Sequence, residues 1–300
     1  MASTPRPEST GSKRVLVIYN PAAGWFRYGY FLKVISGLER LGCLVTIQQT
    51  TGQGDAETLA RRADPARVDA VIAAGGDGTV NEVANGLLGR NVPLGIIPLG
   101  TANVLAAEIG LPATPRAIAA TIAAGARLPC HPGRANGRLF LMMAGVGFDA
   151  RVVQNTPSML KKAIGKGAYV WATLRQLLRP SPGPYKVTLE GNTVSAASVV
   201  IGKGHFYAGR FVCTPDARLE QPWFQVCLFR DGGRLATLKY LVGFLRGRIP
   251  LLASVTYVTA DHLRIEGPPD DPVQGDGDII AGLPLDVRIA EDTIDLLIPA

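Results

Sequence analysis

Ala73-Ala74-Gly75-Gly76-Asp77-Gly78-Thr79-Val80-Asn81-Glu82 is the stretch from which the fold is read. It begins by closing the strand Asp69-Ala-Val-Ile-Ala-Ala74, apolar at every position after Asp69, the composition of a strand buried between two helical layers. Three glycines then surround one aspartate, and a helical pattern over Thr79–Leu88 follows. Glycine lets the backbone turn sharply and come close to a ligand. A helix start offers unpaired N–H groups and the positive end of its dipole, and together these bind phosphate. Asp77 is placed to orient a nucleotide hydroxyl or a metal-bound water; the plain alternative is a strand–helix turn capped by Asp77 or Thr79.

The same alternation extends to both sides. Arg14–Tyr19 reads as a short strand stopped at Asn20-Pro21, where proline cannot continue the ladder. Phe31, Val34, Ile35, Leu38 and Leu41 recur at 3–4 spacing in a helix over Tyr30–Leu41 that Gly42 closes. Leu44–Thr50 and Pro93–Pro98 read as strands, and Ala56–Ala63 and Ala102–Ile109 as helices. Strand and helix in turn predict a parallel sheet with helices on both faces. Two more strand ends carry loops like the first: Tyr19-Asn20-Pro21-Ala22-Ala23-Gly24 and Pro98-Leu99-Gly100-Thr101-Ala102-Asn103. Ligands of such sheets collect at the carboxyl ends of the strands, so three loops on one edge make a candidate site.

After about Leu128 strands dominate, at Leu139–Ala144, Lys186–Leu189, Ala197–Ile201, Phe224–Phe229, Val255–Val258, Leu263–Glu266 and Leu285–Ala290. Turn formers separate them, which predicts an antiparallel sandwich or barrel. Helical patterns interrupt it near Leu160–Leu178 and Leu235–Arg246. The expected layout is a polar, disordered tail over 1–12, an α/β domain over 13–128 and a β-rich domain over 129–300, with the last strand free to return to the first domain.

The chain of 300 residues is 47% hydrophobic and 18% charged, the balance of a folded protein with a well-filled core. No apolar run reaches the length of a membrane span, and the N-terminal MASTPRPESTGSK has no signal-peptide core. Cys43, Cys130, Cys213 and Cys227 are scattered without metal-ligand spacing, as are His131, His205 and His262, so buried thiols and a cytoplasmic compartment are expected. A net charge of +7 fits an anionic partner. No nucleic-acid-reading motif accompanies it, and no partner of that kind is expected. Gly145-Val-Gly-Phe-Asp-Ala150 imitates a dinucleotide fingerprint, but Lys161, Lys162 and Lys166 stand where a helix and an acidic residue should follow, and the reading is rejected. No G-x-x-x-x-G-K-[ST] loop occurs. Arg234–Arg248 is apolar with basic ends, suited either to packing on a core or to an anionic bilayer.

Taken together, Asn20-Pro-x-x-Gly24, Gly75-Gly-Asp-Gly-Thr79 with Asn81-Glu82, and Pro98-Leu-Gly-Thr-Ala-Asn103 resemble the diacylglycerol kinase catalytic domain family. Gly145–Ala150, Thr214-Pro-Asp-Ala217 and Gln274-Gly-Asp-Gly-Asp278 follow in that family's order, so the resemblance spans nearly the whole chain. It implies an α/β nucleotide domain like those of NAD kinases and phosphofructokinases, a β sandwich-like lipid domain, and a cleft between them. It further implies ATP on Asn20, Pro21, Gly24, Thr50, Gly75, Gly76, Asp77, Gly78, Thr79, Asn81, Glu82, Gly100, Thr101 and Asn103. Asp276 and Asp278, with Asp77, would supply the catalytic carboxylates, and magnesium carried by ATP would lie near Asp77 and Asp276. The implied reaction phosphorylates a lipid hydroxyl, first of all that of diacylglycerol, at the inner face of a membrane visited transiently. Sphingoid bases, other lipid alcohols, NAD, or binding without turnover are the alternatives. The sequence carries no sign of an oligomeric state.

Three positions depart from the pattern. Asp278 stands where the family has glutamate, one methylene shorter, a change that can move a base by about an ångström and cost on the order of 10²-fold. Gln221-Pro222 replaces an Asp-Gly pair that holds a structural magnesium, so that metal site is not expected. An Asn-x-x-x-x-Gly-Gly motif reads Lys203 to Ala208-Gly209.

Overall fold

Along β1 (Arg14–Tyr19), Val15, Val17 and Tyr19 enter one apolar cluster while Leu16 and Ile18 enter another. The two-residue period of a strand points successive side chains to opposite faces, so a strand apolar on both faces, as β1 is after Arg14, has a helical layer on each side. β3 (Ala70–Gly75) is buried throughout in the same way. On one face α1 (Tyr28–Arg40) and α5 (Pro115–Ala124) supply Phe31, Val34, Leu38, Ile118 and Ile122. On the other, α2 (Asp55–Arg61) and α3 (Asp77–Leu87) supply Ala56, Ala60, Val80, Val83 and Leu87. These two helices approach so closely that a Cβ on Gly86 would lie 2.4 Å from the Glu57 carbonyl oxygen.

The computed structural model describes residues 12–155, 183–207, 209 and 211–300. The first sheet is completed by β2 (Leu44–Gln49), β4 (Leu94–Pro98), β5 (Arg127–Cys130) and β20 (Ile294–Leu297), in the order β2-β1-β3-β4-β20-β5. Its first five strands run parallel, and β5 is antiparallel to β20. A short α4 (Val104–Glu108) follows β4.

Two antiparallel six-stranded sheets build the second half. One orders β10 (Asn192–Ala196), β9 (Tyr185–Leu189), β16 (His262–Glu266), β19 (Leu285–Ile289), β6 (Gly133–Ala135) and β7 (Arg138–Phe140). The other orders β15 (Val255–Ala260), β14 (Phe224–Phe229), β11 (Ser198–Gly202), β8 (Met143–Val146), β17 (Pro272–Gly275) and β18 (Asp278–Gly282). Phe140, Val146, Tyr185, Ile201, Phe224, Ile265 and Val287 fill the space between them. α6 (Phe148–Gln154), the small hairpin β12 (Phe206–Tyr207)–β13 (Phe211–Val212) and α7 (Arg234–Leu245) lie outside the sandwich.

The α/β layer followed by a β sandwich agrees with the expected fold class. Several local expectations change. Leu139–Ala144 is two strands in two different sheets, because the chain passes from β7 to β8 through Leu141-Met142. The helix expected from Ala102 starts at Val104, since Asn103 adopts a left-handed φ of 48°. A helix does follow the Gly145–Gly147 turn, namely α6, but its strand lies in an antiparallel sheet, which keeps the dinucleotide reading rejected. The Leu160–Leu178 pattern, with Lys161, Lys162 and Lys166, lies outside the described residues.

Candidate active site

The three loops at the ends of β1, β3 and β4 are joined backbone to backbone. A Cβ on Gly100 would stand 2.6 Å from the Gly76 Cα, and one on Gly24, at φ 69°, would stand 2.1 Å from the Leu99 carbonyl oxygen. Only glycine allows such contact, and here it lets loops touch each other as much as a ligand. Side chains finish the weld: Asn20 Nδ2 donates to Thr79 Oγ1 at 3.0 Å, and Asn103 Nδ2 donates to the Gly100 carbonyl at 2.8 Å. Thr101 stays exposed on the rim. No side chain caps α3, so the amides of its first turn keep their capacity for an anion.

Asp77 faces sideways along this edge. Its carboxylate accepts the Asn103 amide at 2.9 Å and the Val104 amide at 2.6 Å, fixing the start of α4 against the start of α3. Burial pushes its carboxyl up to about 6; the Val104 amide pulls it down and the nearby Asp276 charge pushes it up again. Glu82 is also engaged in holding structure, accepting the Gly54 amide at 3.0 Å and the Ala56 amide at 3.2 Å at the start of α2. Through that segment it steadies the residues after Thr50, whose amide donates to the Tyr19 carbonyl at 2.9 Å.

Across the cleft, Gln274–Asp278 forms the β17–β18 hairpin, with Asp276 (φ 50°) and Gly277 (φ 90°) in its turn. Two successive left-handed residues are what an Asp-Gly pair supplies to a tight hairpin. The turn reading and the functional reading of this motif therefore describe one object. The Asp276 carboxylate accepts the amides of Leu141 (2.7 Å), Met142 (2.9 Å) and Met143 (3.1 Å) and the Asn81 side-chain amide (2.8 Å). Burial raises its pKa while those four donors pull it down. Asp278 is exposed, and its Oδ2 comes within 3.0 Å of where a Cβ on Gly78 would sit. The hairpin thus presents Asp278 to the glycine loop and turns Asp276 inward.

At matched residues 14–135 the chain fits the family described as the diacylglycerol kinase catalytic domain, and at 142–298 the YegS C-terminal NAD kinase beta sandwich-like domain. A protein named diacylglycerol kinase from Staphylococcus aureus (strain bovine RF122 / ET3-1) is 30% identical over 293 residues, 96% of this chain and 93% of that one. The chain belongs to the diacylglycerol kinase catalytic domain family, a family of lipid kinases. A diacylglycerol kinase of Bacillus subtilis (strain 168) is 29% identical over 84% of this chain and 86% of its own length. The crystal structure of a diacylglycerol kinase from Bacillus anthracis str. Sterne superposes with a TM-score of 0.79 at 25% identity, covering 97% of this chain and 98% of that one.

In this lipid kinase the two halves are sewn together around the cleft by groups that sequence reading passed over. Asn85 Oδ1 accepts the Leu139 amide at 3.2 Å, and Glu108, at the end of α4, accepts the amides of His205 (2.9 Å) and Phe206 (3.2 Å). Glu108 Oε1 also pairs with His205 Nδ1 at 2.6 Å. A lone glutamate closing the apolar run Val104-Leu-Ala-Ala was the available signal. At the start of α6, Asp149 accepts Gln274 Nε2 at 2.6 Å and the Tyr207 hydroxyl; desolvation raises its pKa. Among the described residues no three His, Cys, Asp or Glu side chains cluster as a ready-made metal site.

Proposed function

We propose that this lipid kinase transfers the γ-phosphoryl group of ATP to the hydroxyl of diacylglycerol, giving phosphatidic acid. The observation that carries the reading is the pairing of an uncapped α3 N-terminus with the Asp278 carboxylate across from Gly78. Asn20, Gly24, Thr50, Gly75–Thr79, Gly100, Thr101 and Asn103 form the cradle for the nucleotide, phosphates toward the α3 amides. Asp278 accepts the proton of the substrate hydroxyl as its oxygen attacks phosphorus and ADP leaves. Its shortened side chain still reaches the glycine loop, which favours turnover over mere binding. Asp276 and Asp77 act as positioning residues: one sets the height of the hairpin, the other locks α4 to the loop. Magnesium fits here as a companion of the nucleotide, since it is held by one or two carboxylates plus substrate phosphates; when bound it would neutralise phosphate charge beside Asp278.

Transient docking on the inner face of a membrane is supported by α7 and the turn after it. Leu235, Leu245 and Leu251 are 85%, 64% and 78% exposed. Arg246 and Arg248 are exposed beside them, and residues 232–260 contain no acidic side chain, which suits an anionic bilayer. Phe244 of the same helix stacks on Tyr207, whose hydroxyl reaches Asp149, so this face adjoins the sandwich side of the cleft. No helix among the described residues is long and apolar enough to cross a membrane.

Labelled ATP, magnesium and vesicles of phosphatidylglycerol containing diacylglycerol, sphingosine or monoacylglycerol test the acceptor, with NAD in a parallel tube. Label in phosphatidic acid is expected; label in NAD, or in no product at all, would sink the reading.

A further inference from the structure

Lys203 follows β11 directly and is fully buried. Its ammonium donates to the carbonyl oxygens of Arg218 (3.1 Å), Gln221 and Trp223 (3.2 Å). Three carbonyls of one short segment thus converge on a single positive centre, the way a loop wraps a cation. Among the described residues no carboxylate pairs with Lys203 at ion-pair distance, so the carbonyls are its chief partners. Burial pulls its pKa down to about 8, which leaves it charged at pH 7. Only the charged form carries the three N–H groups that three acceptors require.

The divalent site implied by the family resemblance does not fit this loop. Magnesium demands six oxygens in near-octahedral array, carboxylates among them. Of the acidic groups present, the Asp216 carboxylate accepts Gln225 Nε2 at 2.8 Å while the Asp216 amide donates to Gln225 Oε1 at 2.9 Å, and Glu220 is exposed. Gln221-Pro222 contributes no carboxylate, and an ammonium already lies among the carbonyls.

We infer that Lys203 is a built-in cation that does the work of a structural metal ion, so that the 214–223 loop is organised without any divalent ion. The chain has exchanged a dissociable charge for a covalently attached one. The consequence reaches the nucleotide side. Arg218 Nη1 meets His205 Nε2 at 2.5 Å, His205 binds Glu108, and Glu108 ends the helix whose start Asp77 holds. The loop that Lys203 holds thus touches, through Arg218 and His205, the residue that ends α4.

Thermal melts without nucleotide test this, and none of the readouts needs turnover, so they stand apart from the kinase reading. Wild-type protein stripped of metal should melt in EDTA within about 1 °C of its value in millimolar magnesium, because nothing binds that favours the folded state. A magnesium-dependent rise of several degrees would overturn the inference. Lys203→Met keeps the apolar stem and removes all three donors; its melting temperature should fall by at least about 5 °C in EDTA and in magnesium alike. An unchanged melt for that variant would overturn the inference equally. Should the variant not fold, the wild-type comparison decides alone.

Discussion

The glycine loop Gly75–Thr79 and the hairpin Gln274–Asp278 face each other across the cleft, and they use their aspartates differently. The loop has one, Asp77, and commits it to two amides of the neighbouring loop. The hairpin has two and divides them: Asp276 binds four donors, and Asp278 points out toward the loop. An aspartate in a ligand-binding motif is therefore not necessarily a group that meets the ligand. A carboxylate offers about four acceptor sites, and a loop that must hold one conformation can use all of them on its own backbone.

The largest effect expected from this contrast is on rate. Asp278→Asn should lower turnover by roughly 10²–10⁴-fold, the usual contribution of a general base, while leaving the melting temperature nearly unchanged. Asp276→Asn should do the reverse in kind. Four donors converge on that side chain, and an amide adds two more, so stability should fall by about 3 kcal/mol in denaturant titration, with activity lost through misplacement of the hairpin. If the two variants behave alike in both measurements, the division of roles is wrong.

The next effect is one of pH. Because burial raises the Asp77 carboxyl from 3.8 to about 6, the folded chain holds that proton where the unfolded chain has released it. Its contribution to stability therefore rises as pH falls from about 6 toward 4. Asp276 and Asp149, both raised by desolvation, act in the same direction. Asp69, held low chiefly by the Arg14 side chain, acts in the opposite one, its contribution disappearing as pH falls below its ordinary range. Melts between pH 4 and 7 should show this gain in the wild type and a flatter profile in Asp77→Asn. The smallest effect belongs to Glu82→Ala, which removes the acceptor from the start of α2 and should cost about 1 kcal/mol by thermal melt, without a change in which lipid is phosphorylated.

Much of the scaffold was legible because each half has one dominant hydrophobic period. β1 after its opening Arg14, and β3 throughout, are apolar and could only be central strands, and α1 shows its buried stripe plainly. The signals for α5 were present as well: Thr114 caps it, Pro115 opens it, and Gly125 closes it at φ 75°. They went unread because its small alanine-rich face has little contrast. The split at Leu141-Met142 was not legible at all. Residues 139–144 look like a single apolar strand, and what breaks them is Asp276, far along the chain, accepting their amides. The same holds for the site. The glycine loops announce themselves by composition, whereas the duties of Asp77, Glu82, Asn81 and Lys203 depend on long-range partners that no local pattern encodes.

The place of β20 has a consequence for how the protein comes into being. Residues 294–297 lie inside the first sheet, between β4 and β5, although the whole β sandwich separates them from β5 in sequence. During synthesis the α/β half emerges first, yet one edge of β4 has no partner until the sandwich has been made. The nascent half must wait with an open strand edge, the kind of surface that pairs with other chains. Losing the last few residues would therefore cost the earliest-made sheet, not the latest.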